Sequence, residues 1–345
     1  MRTLTGRVPV RIDLAGGTLD IWPLHLTLPE PGVTVNVALD LPARVTVSTL
    51  RRGTVRLESE DQGAHAKFAT VEAMRAESSA YPRLLLLARA VEAAVPEGGV
   101  AVVSRATSPQ GAGLGGSSAL LVCALATLLE AAERPLALDA VRRLAQDVET
   151  SIVRGPTGYQ DYHPPLFGGC LALEGRPGGV LVERLPVDLA ALSARLRLVY
   201  TGVPHHSGMT NWGAMRAYFD GEPTTVQALL EIAGLSRALR DALRLGDLDA
   251  ALGIVVAEGA VRRRMAPGIG TAGIDALDAA VREAGALGTK VMGAGGGGCV
   301  LVVLRDEHEP AGLEAAMRTA GGLPVPCRLV QQGIKISTKA GETAS

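Results

Sequence analysis

A glycine-rich segment that follows a strand-like run and precedes a helical run is the part of the sequence best suited to binding an anion. Residues 108–119 read Ser-Pro-Gln-Gly-Ala-Gly-Leu-Gly-Gly-Ser-Ser-Ala. Four glycines let successive backbone N–H groups approach a ligand without interference from a Cβ atom: Gly111, Gly113, Gly115 and Gly116. The N-terminus of the helix adds partial positive charge, so the segment predicts a phosphate site. The hydroxyls of Ser117 and Ser118 could cap the helix or bind a phosphate-bound Mg²⁺ ion.

Two other interpretations of this segment compete with a phosphate site. A short glycine-rich sequence between a strand and a helix can be a turn and nothing more. Residues 111–116 also satisfy the GxGxxG pattern of dinucleotide sites, but the acids about 20 residues further on, Glu130 and Glu133, lie on the same predicted helix. The Walker pattern GxxxxGK[ST] does not occur in this segment. A nicotinamide-dependent oxidoreductase is therefore the least favoured enzyme class.

Hydrophobic periodicity predicts the elements that carry these residues. Residues 33–37 and 45–47 are predicted to form a hairpin around residues 40–42, and Asp139 is predicted to be the N-cap of a helix at 136–154. Further strands are predicted at residues 8–14, 99–105, 170–174, 180–185, 196–201, 289–292, 299–304 and 328–330. Further helices are predicted at residues 82–95, 117–133, 207–219, 224–243, 247–265, 271–286 and 310–319.

The length and the order of the elements predict two domains. A chain of 345 residues with 47% hydrophobic residues exceeds what one core usually serves. The mixture of strands and helices is typical of an α+β protein, and a connection at residues 186–189 that carries proline and aspartate separates its halves. We predict a first domain at residues 1–187, a second at 188–336 and a disordered tail at 337–345.

Three glycine-bearing motifs resemble the signatures of the GHMP kinases, the group of galactokinase, homoserine kinase, mevalonate kinase and phosphomevalonate kinase. The segment at 108–119 matches the second signature at Pro109, Gly113, Leu114, Gly115, Ser117, Ser118 and Ala119. Residues 8–20 resemble the first signature of the sugar-kinase branch, and their Gly16-Gly17 doublet is nearer to heptose-phosphate and fucose kinases than to galactokinase. Residues 290–300 resemble the third signature. The motifs occur in the family's order over almost the whole chain.

The resemblance implies a two-domain α+β fold, with a βαβ-containing N-terminal domain that binds ATP and a ferredoxin-like C-terminal domain. It assigns the ATP phosphates to the backbone around Pro109 and Leu114 and to the glycines and serines between 111 and 118. Arg11 takes the position of the arginine that stabilises the attacked phosphate, and Asp20 that of the aspartate that holds sugar hydroxyls. Beside the substrate the resemblance places Gly17, Gly295 and Gly296.

Two acids lie between the second and third motifs at positions where they could serve phosphate transfer. Taken alone, Glu149 flanks the apolar stripe of its predicted helix and could point inward or be solvated, and Asp161 could be a loop residue that starts a turn. The resemblance implies that Glu149 binds Mg²⁺ together with Ser118. It also implies that Asp161 is the base or orients the acceptor hydroxyl, while Arg11 holds it ionised. Tyr162, where relatives carry glutamine, predicts a reshaped acceptor pocket.

Charge and composition narrow the partners and the compartment. The 35 acids and 34 bases nearly cancel and only 3% of residues are aromatic, which argues against a nucleic-acid partner. The most apolar predicted helix, residues 119–129, is shorter than the roughly 20 residues of a membrane span, and the first residues do not resemble a secretory leader. Four dispersed cysteines fit the reduced cytoplasm. The adjacent His205 and His206 point apart, so a loop near the acceptor is favoured over a metal site.

Together these features predict a cytoplasmic, ATP- and Mg²⁺-dependent kinase that phosphorylates a hydroxyl of a sugar or sugar phosphate. An isoprenoid or amino-alcohol kinase is one alternative, against which the sugar-branch pattern at Arg11 and Asp20 weighs. A catalytically silent ATP- or sugar-binding protein of the same fold is the other, against which the joint presence of Ser118, Glu149 and Asp161 weighs. We expect a small-molecule partner and neither a nucleic acid nor a membrane, and a homodimer is compatible with the sequence.

Overall fold

The computed structural model describes residues 2–134, 137–204 and 207–339, which form two β-sheets covered by α-helices. In chain order the strands are β1 (Thr3–Ala15), β2 (Val33–Thr49), β3 (Val55–Ser59), β4 (Ala64–Phe68), β5 (Val100–Ala106), β6 (Cys170–Arg176), β7 (Gly179–Arg184), β8 (Leu196–Tyr200), β9 (Gly288–Val291), β10 (Cys299–Val303), β11 (Leu323–Val325) and β12 (Lys335–Lys339). The helices are α1 (Val71–Glu77), α2 (Leu85–Ala94), α3 (Gly116–Ala131), α4 (Leu138–Val153), α5 (His163–Phe167), α6 (Leu189–Ala194), α7 (Ser207–Phe219), α8 (Pro223–Arg244), α9 (Leu248–Met265), α10 (Ala272–Glu283) and α11 (Leu313–Thr319).

The first sheet has the strand order β12-β1-β2-β5-β3-β4, and β6 and β7 extend it beside the first half of β2. All neighbouring strands in it are antiparallel except β3 and β5, which are parallel. The chain between β3 and β5 includes the helices α1 and α2, so this part contains the predicted βαβ arrangement. Two parallel strands require such a crossover because the chain must return from the end of the first strand to the opposite end of the sheet, where the second strand starts.

The longest strand, β2, occupies the place of the predicted hairpin. One edge of β2 pairs with β1, and the other edge is shared between β6 and β5. Residues 40–42 of β2 form a bulge. The residues on either side of them, Leu39 and Ala43, pair with residues of β1 that are only two positions apart. The predicted hairpin is therefore wrong: both halves of β2 are already paired with other strands. Pro42, which has no N–H to donate, is accommodated at the bulge.

Helix α3 packs against β1 and β2, and its residues from Ala119 to Leu128 are buried on every side. Helix α4 packs against α3 and begins at Leu138 with Ala137 at the N-cap. The predicted N-cap, Asp139, is therefore wrong: it lies in the first turn, where its carboxylate accepts hydrogen bonds from Arg142 and Arg143. The predicted start of this helix at residue 136 lies outside the described residues. Among the helices of the described ranges, none is both long and apolar enough to cross a membrane.

The second sheet is antiparallel and has the order β11-β8-β10-β9. Along the chain β8 is followed by helices ending with α10, then by the pair β9 and β10, then by α11 and β11. This β-α-β-β-α-β sequence in this strand order is the ferredoxin-like arrangement. The predicted ferredoxin-like half is therefore confirmed, with α7, α8 and α9 as additional helices between β8 and α10.

The end of the described chain returns to the first sheet. Strand β12 pairs with β1, and Ile334 and Ile336 pack against the main hydrophobic core. The predicted strand at 328–330 is reduced to a single bridge between Leu39 and Leu329. The predicted disordered tail is wrong for residues 337–339, because β1 offers β12 a free edge with which to pair. Residues 340–345 lie outside the described residues.

Candidate active site

One cleft of about 610 Å³ gathers most of the residues that the motifs predicted. Its walls come from the loop before α3, the first turn of α3, the end of β1 and the loop after it, and the segment at 158–162. Asn211, Arg262, Gly293 and Ala294 line it from the second half of the chain. The predicted residues on its walls are Arg11, Gly17, Asp20, Pro109, Gly111, Gly113, Leu114, Gly115, Gly116, Ser117, Ser118, Glu149, Asp161 and Tyr162.

The glycine-rich loop joins β5 to α3 and needs its glycines for their backbone conformation. Gly111, Gly113 and Gly115 have φ angles of 64°, 74° and 69°, which side chains with a Cβ atom rarely adopt. A Cβ atom on Gly115 would lie 3.3 Å from Cγ of Asp161. No described side chain caps the first turn of α3, so its N–H groups remain available to a ligand. This combination is suited to binding phosphate.

Both halves of the molecule hold the glycine-rich loop in place. The carbonyl oxygen of Leu114 accepts a hydrogen bond of 3.1 Å from the backbone of Arg11 in β1. The carbonyl oxygen of Ala112 accepts one of 2.8 Å from the backbone of Cys299 in β10. These bonds fix the loop. The N–H of Ala112 is bonded to the carbonyl oxygen of Pro109, whereas the N–H groups of Gly113, Gly115 and Gly116 have no partner among the described residues and could bind an anion.

A buried carboxylate lies beside the first turn of α3. Oε2 of Glu149 accepts hydrogen bonds from the hydroxyls of Ser118, at 2.6 Å, and Tyr162, at 2.7 Å. Burial raises the pKa of Glu149, and the hydrogen bonds from Ser118 and Tyr162 partly offset that rise. A carboxylate and a hydroxyl are oxygen ligands of the kind that Mg²⁺ takes. Within the described residues no cluster of three His, Cys, Asp or Glu side chains could hold a metal.

Tyr162 is completely buried, although it reaches the wall of the cleft. Its hydroxyl donates to Glu149, so the structure groups it with the candidate metal ligand. The prediction placed Tyr162 in the acceptor pocket, and this placement does not support direct contact with an acceptor. The hydroxyl of Tyr162 instead orients the Glu149 carboxylate.

Arg11 and Asp161 form an ion pair at the centre of the cleft. Nε and Nη2 of Arg11 lie 2.7 Å and 2.6 Å from Oδ1 of Asp161, and Nη1 donates to the carbonyl oxygen of Gly113. The Arg11 side chain is 4% exposed, whereas that of Asp161 is 29% exposed. Asp161 therefore keeps access to the cleft, while Arg11 connects it to the glycine-rich loop.

Asp20 lies at the end of the cleft away from the glycine-rich loop, and its side chain is almost wholly buried. Its Oδ2 accepts a hydrogen bond of 2.8 Å from the backbone of Gln160. Burial raises the pKa of Asp20 to about 7, and the charges of Asp161 and Asp13 add to the rise. Gly158 must be a glycine here, because a Cβ atom would overlap the Asp20 carboxylate.

Four buried charged side chains lie at this end of the cleft or directly behind it, and the sequence alone assigned them no role: Asp13, Glu258, Arg262 and Lys290. Nζ of Lys290 contacts Glu258 and lies 3.7 Å from Asp13. Nη2 of Arg262 lies 2.6 Å from Oε1 of Glu258 and donates at 2.9 Å to the carbonyl oxygen of Gly17. Glu258 and Arg262 are four residues apart on α9, and that helical spacing was the available signal. Together the four groups anchor the turn that leads to Asp20.

The third glycine motif reaches the cleft at a different point from the one predicted. Gly293 and Ala294 line the cleft. Gly295 and Gly296 instead approach Ile269, and the N–H of Gly296 donates to its carbonyl oxygen at 2.9 Å. This packing does not support the predicted substrate contacts of Gly295 and Gly296. His205 and His206 lie outside the described residues.

The chain matches two family models that correspond to its two halves. The model described as "GHMP kinases N terminal domain" matches residues 82–169, and "GHMP kinases C terminal" matches residues 239–322. The chain therefore belongs to the GHMP kinases and has their two-domain fold. As such it is a small-molecule kinase that phosphorylates a hydroxyl group, and ATP is the phosphate donor of this family.

Relatives with different substrates in their names resemble the chain to similar degrees. The mevalonate kinase of Thermococcus sibiricus is 27% identical over 327 residues, which cover 88% of this chain and 91% of the relative. The galactokinase of Streptomyces coelicolor is 28% identical over an alignment of 370 residues, which covers 94% of this chain and 93% of the relative. The crystal structure of a D-glycero-D-manno-heptose 1-phosphate kinase from Bacteriodes thetaiotaomicron has a TM-score of 0.75 and 20% identity, and covers 98% of this chain and 100% of that one. That last likeness shows the fold alone.

Proposed function

We propose that the protein transfers the γ-phosphate of ATP to a hydroxyl of a sugar or a sugar phosphate, with the help of Mg²⁺. The proposal rests on the groups that one cleft brings together. This cleft holds the glycine-rich loop, the pair Glu149 and Ser118, the pair Arg11 and Asp161, and the carboxylate of Asp20. Phosphoryl transfer requires a phosphate cradle, neutralisation of charge and an oriented hydroxyl, and these groups can supply all three.

The donor end of the cleft would bind the nucleotide. The N–H groups of the glycine-rich loop and of the first turn of α3 would hold the phosphates. Glu149 and Ser118 would hold the Mg²⁺ ion, which when bound neutralises negative charge on the phosphate oxygens. Beyond the loop the cleft continues past Ser59, Gln62 and Leu86, which leaves room for the nucleoside.

The centre of the cleft would carry out the transfer. Asp161 would accept the proton of the acceptor hydroxyl as its oxygen attacks phosphorus, or would orient that hydroxyl. The guanidinium of Arg11 would stabilise the charge on the phosphoryl oxygens. Because Arg11 also bonds to Gly113, movement of the phosphate loop and of Asp161 would be coupled.

The acceptor end supports a sugar as the substrate. Asp20 faces the cleft from a buried turn and can accept hydrogen bonds from the hydroxyls of a sugar. The similarity to the galactokinase of Streptomyces coelicolor supports this assignment. The similarity to the mevalonate kinase of Thermococcus sibiricus supports a second candidate, a kinase of an isoprenoid alcohol.

A coupled assay of ADP release against free sugars, sugar phosphates and mevalonate would separate these candidates. We expect Mg²⁺-dependent release with at least one sugar. Asp161→Asn should lower kcat by about 100-fold or more if Asp161 is the base. The matched control is Asp147→Asn, an exposed aspartate on α4, which should leave kcat unchanged.

Three results would contradict the proposal in different ways. Turnover of mevalonate alone would transfer the assignment to the second candidate. Binding of ATP without turnover of any alcohol would identify a silent binding protein. An unchanged kcat in Asp161→Asn would show that this carboxylate only shapes the pocket.

A further inference from the structure

The two hydroxyls that reach Glu149 bond to the same one of its oxygens. Ser118 and Tyr162 both donate to Oε2, at 2.6 Å and 2.7 Å. A carboxylate offers about four lone-pair sites, shared by its two oxygens, so these donors occupy the sites of Oε2. Oε1 accepts no hydrogen bond from a side chain within the described ranges, although the hydroxyl of Ser117 is close enough to lower the pKa of Glu149. Because Glu149 lines the cleft, Oε1 is the oxygen left for a ligand there.

The donors to Oε2 lie on parts of the molecule that hold them in place. Tyr162 is completely buried, and its ring belongs to the main hydrophobic core. Side chains in a close-packed core interdigitate with their neighbours, so rotation of this ring away from Glu149 would require repacking around it. Ser118 is buried in the first turn of α3. The hydroxyls therefore stay at Oε2 when a cation approaches Oε1.

Donation by Ser118 also leaves the lone pairs of its own oxygen unused. A hydroxyl can donate its hydrogen and still accept or coordinate through its oxygen. Because the hydrogen is directed at Glu149, the oxygen of Ser118 can bind a cation at the same time. The pair thus offers a cation a single carboxylate oxygen and a hydroxyl oxygen.

The number of oxygens that a carboxylate can offer separates the two common divalent cations of this kind. Mg²⁺ requires near-octahedral geometry, keeps several water molecules and is held by few carboxylates together with phosphates of a nucleotide. Ca²⁺ takes about six to eight oxygens and often uses both oxygens of one carboxylate. A carboxylate with one oxygen already occupied therefore suits Mg²⁺ and withholds a ligand from Ca²⁺.

We infer that Tyr162 makes the site selective for Mg²⁺ over Ca²⁺, because its hydroxyl limits Glu149 to one coordinating oxygen. The inference rests on the proposed function, in which Glu149 and Ser118 hold the metal ion of the nucleotide, and it adds Tyr162 to that site. Tyr162 is a positioning residue, since it acts through Glu149 and does not bind the cation. Without its hydroxyl, Oε2 has a free lone pair and Glu149 can bind Ca²⁺ through both oxygens.

Isothermal titration with ADP in excess Mg²⁺, in excess Ca²⁺ and in EDTA tests the inference without turnover. Tyr162→Phe removes the hydroxyl and keeps the ring in the core. We expect it to shift the ratio of the Mg²⁺ and Ca²⁺ dissociation constants for ADP toward Ca²⁺ by about 10-fold. Tyr159→Phe is the matched control: its buried hydroxyl has no partner in the described part of the chain, so the ratio should not change. A smaller folded fraction lowers the stoichiometry of each titration and leaves the ratio unaffected.

Crystals grown with Ca²⁺ and ADP show the coordination directly. We expect one oxygen of Glu149 on Ca²⁺ in the unaltered protein and both oxygens in Tyr162→Phe.

The outcomes distinguish this inference from the function on which it rests. An unchanged ratio in Tyr162→Phe, or an equal shift in Tyr159→Phe, would overturn the inference and leave the kinase assignment intact. Coordination of Ca²⁺ through both oxygens of Glu149 in the unaltered protein would do the same. If ADP binds equally well in EDTA, the metal site of the proposed function itself is wrong.

Discussion

Lys290 is wholly buried between two carboxylates, so its removal should leave a buried negative charge without compensation. The other cation of the group, Arg262, lies 2.6 Å from Glu258 and 3.8 Å from Asp13. When all four groups are ionised, two negative charges face two positive charges. Lys290→Met removes one positive charge with little change in volume. Breaking a buried ion pair costs about 3–5 kcal/mol, and because Arg262 still faces both acids we expect about 3 kcal/mol.

The free energy of unfolding, measured by urea denaturation followed by circular dichroism, gives the test. A double variant that combines Lys290→Met with Glu258→Gln would remove the excess negative charge and leave Asp13 opposite Arg262. The double variant should therefore be more stable than Lys290→Met by about 1 kcal/mol or more. As a control, Arg216→Met breaks a pair with Asp220 whose side chains are 73% and 67% exposed, and should cost less than about 1 kcal/mol.

The free energy of unfolding lost in the double variant could instead equal the sum of the losses in Lys290→Met and Glu258→Gln measured singly. That result would refute this reasoning. It would mean that the charges of Lys290 and Glu258 do not compensate each other. A functional measurement gives an independent check, because Arg262 in the same group holds the carbonyl oxygen of Gly17. Lys290→Met should raise KM for the acceptor and leave KM for ATP nearly unchanged.

Three other substitutions test separate parts of the cleft. Glu149→Gln removes a charge beside the proposed Mg²⁺, so kcat should fall by about 10- to 100-fold and half-saturation should need more Mg²⁺; equal Mg²⁺ titrations would contradict this. Gly115→Ala strains a φ of 69° and displaces Asp161, so kcat/KM for ATP should fall by about 10-fold or more, whereas Gly178→Ala, at a φ of 87° with no atom nearby, should retain it. Because the pKa of Asp20 is raised to about 7, its carboxylate is protonated below that pH and accepts hydrogen bonds poorly, so kcat/KM for the acceptor should fall as the pH drops through 7. If Asp20→Asn shows the same pH step, the step does not come from the titration of Asp20.

The glycine motifs predicted the cleft well because their chemistry is local. A phosphate loop needs glycines at particular neighbouring positions, and Gly111, Gly113 and Gly115 adopt the positive φ angles that only such residues readily take. The family resemblance then related the loop to Glu149 and Asp161, which lie on other elements. The third motif was less informative, because two of its glycines serve packing against Ile269 rather than the cleft.

Features that depend on pairing between distant segments could not be predicted in this way. Residues 40–42, with their aspartate and proline, have the composition of a turn, yet the residues on either side of them pair with β6 and β5 as parts of one strand. The small, polar segment at 337–339 has the composition of a tail, yet it pairs with β1. Lys290 was visible in its motif, but its partners Asp13 and Glu258 lie far away in the sequence.

The pairing of β1 with β12 brings the two ends of the described chain side by side, with Thr3 opposite Lys339. Adjacent strands are only about 5 Å apart, so a short linker could join the ends without disturbing either sheet. The chain could then be opened at the exposed turn between β6 and β7, near Gly178, to give a circularly permuted enzyme. A chain that stops before Lys335 would instead expose the unpaired edge of β1, and such edges promote self-association.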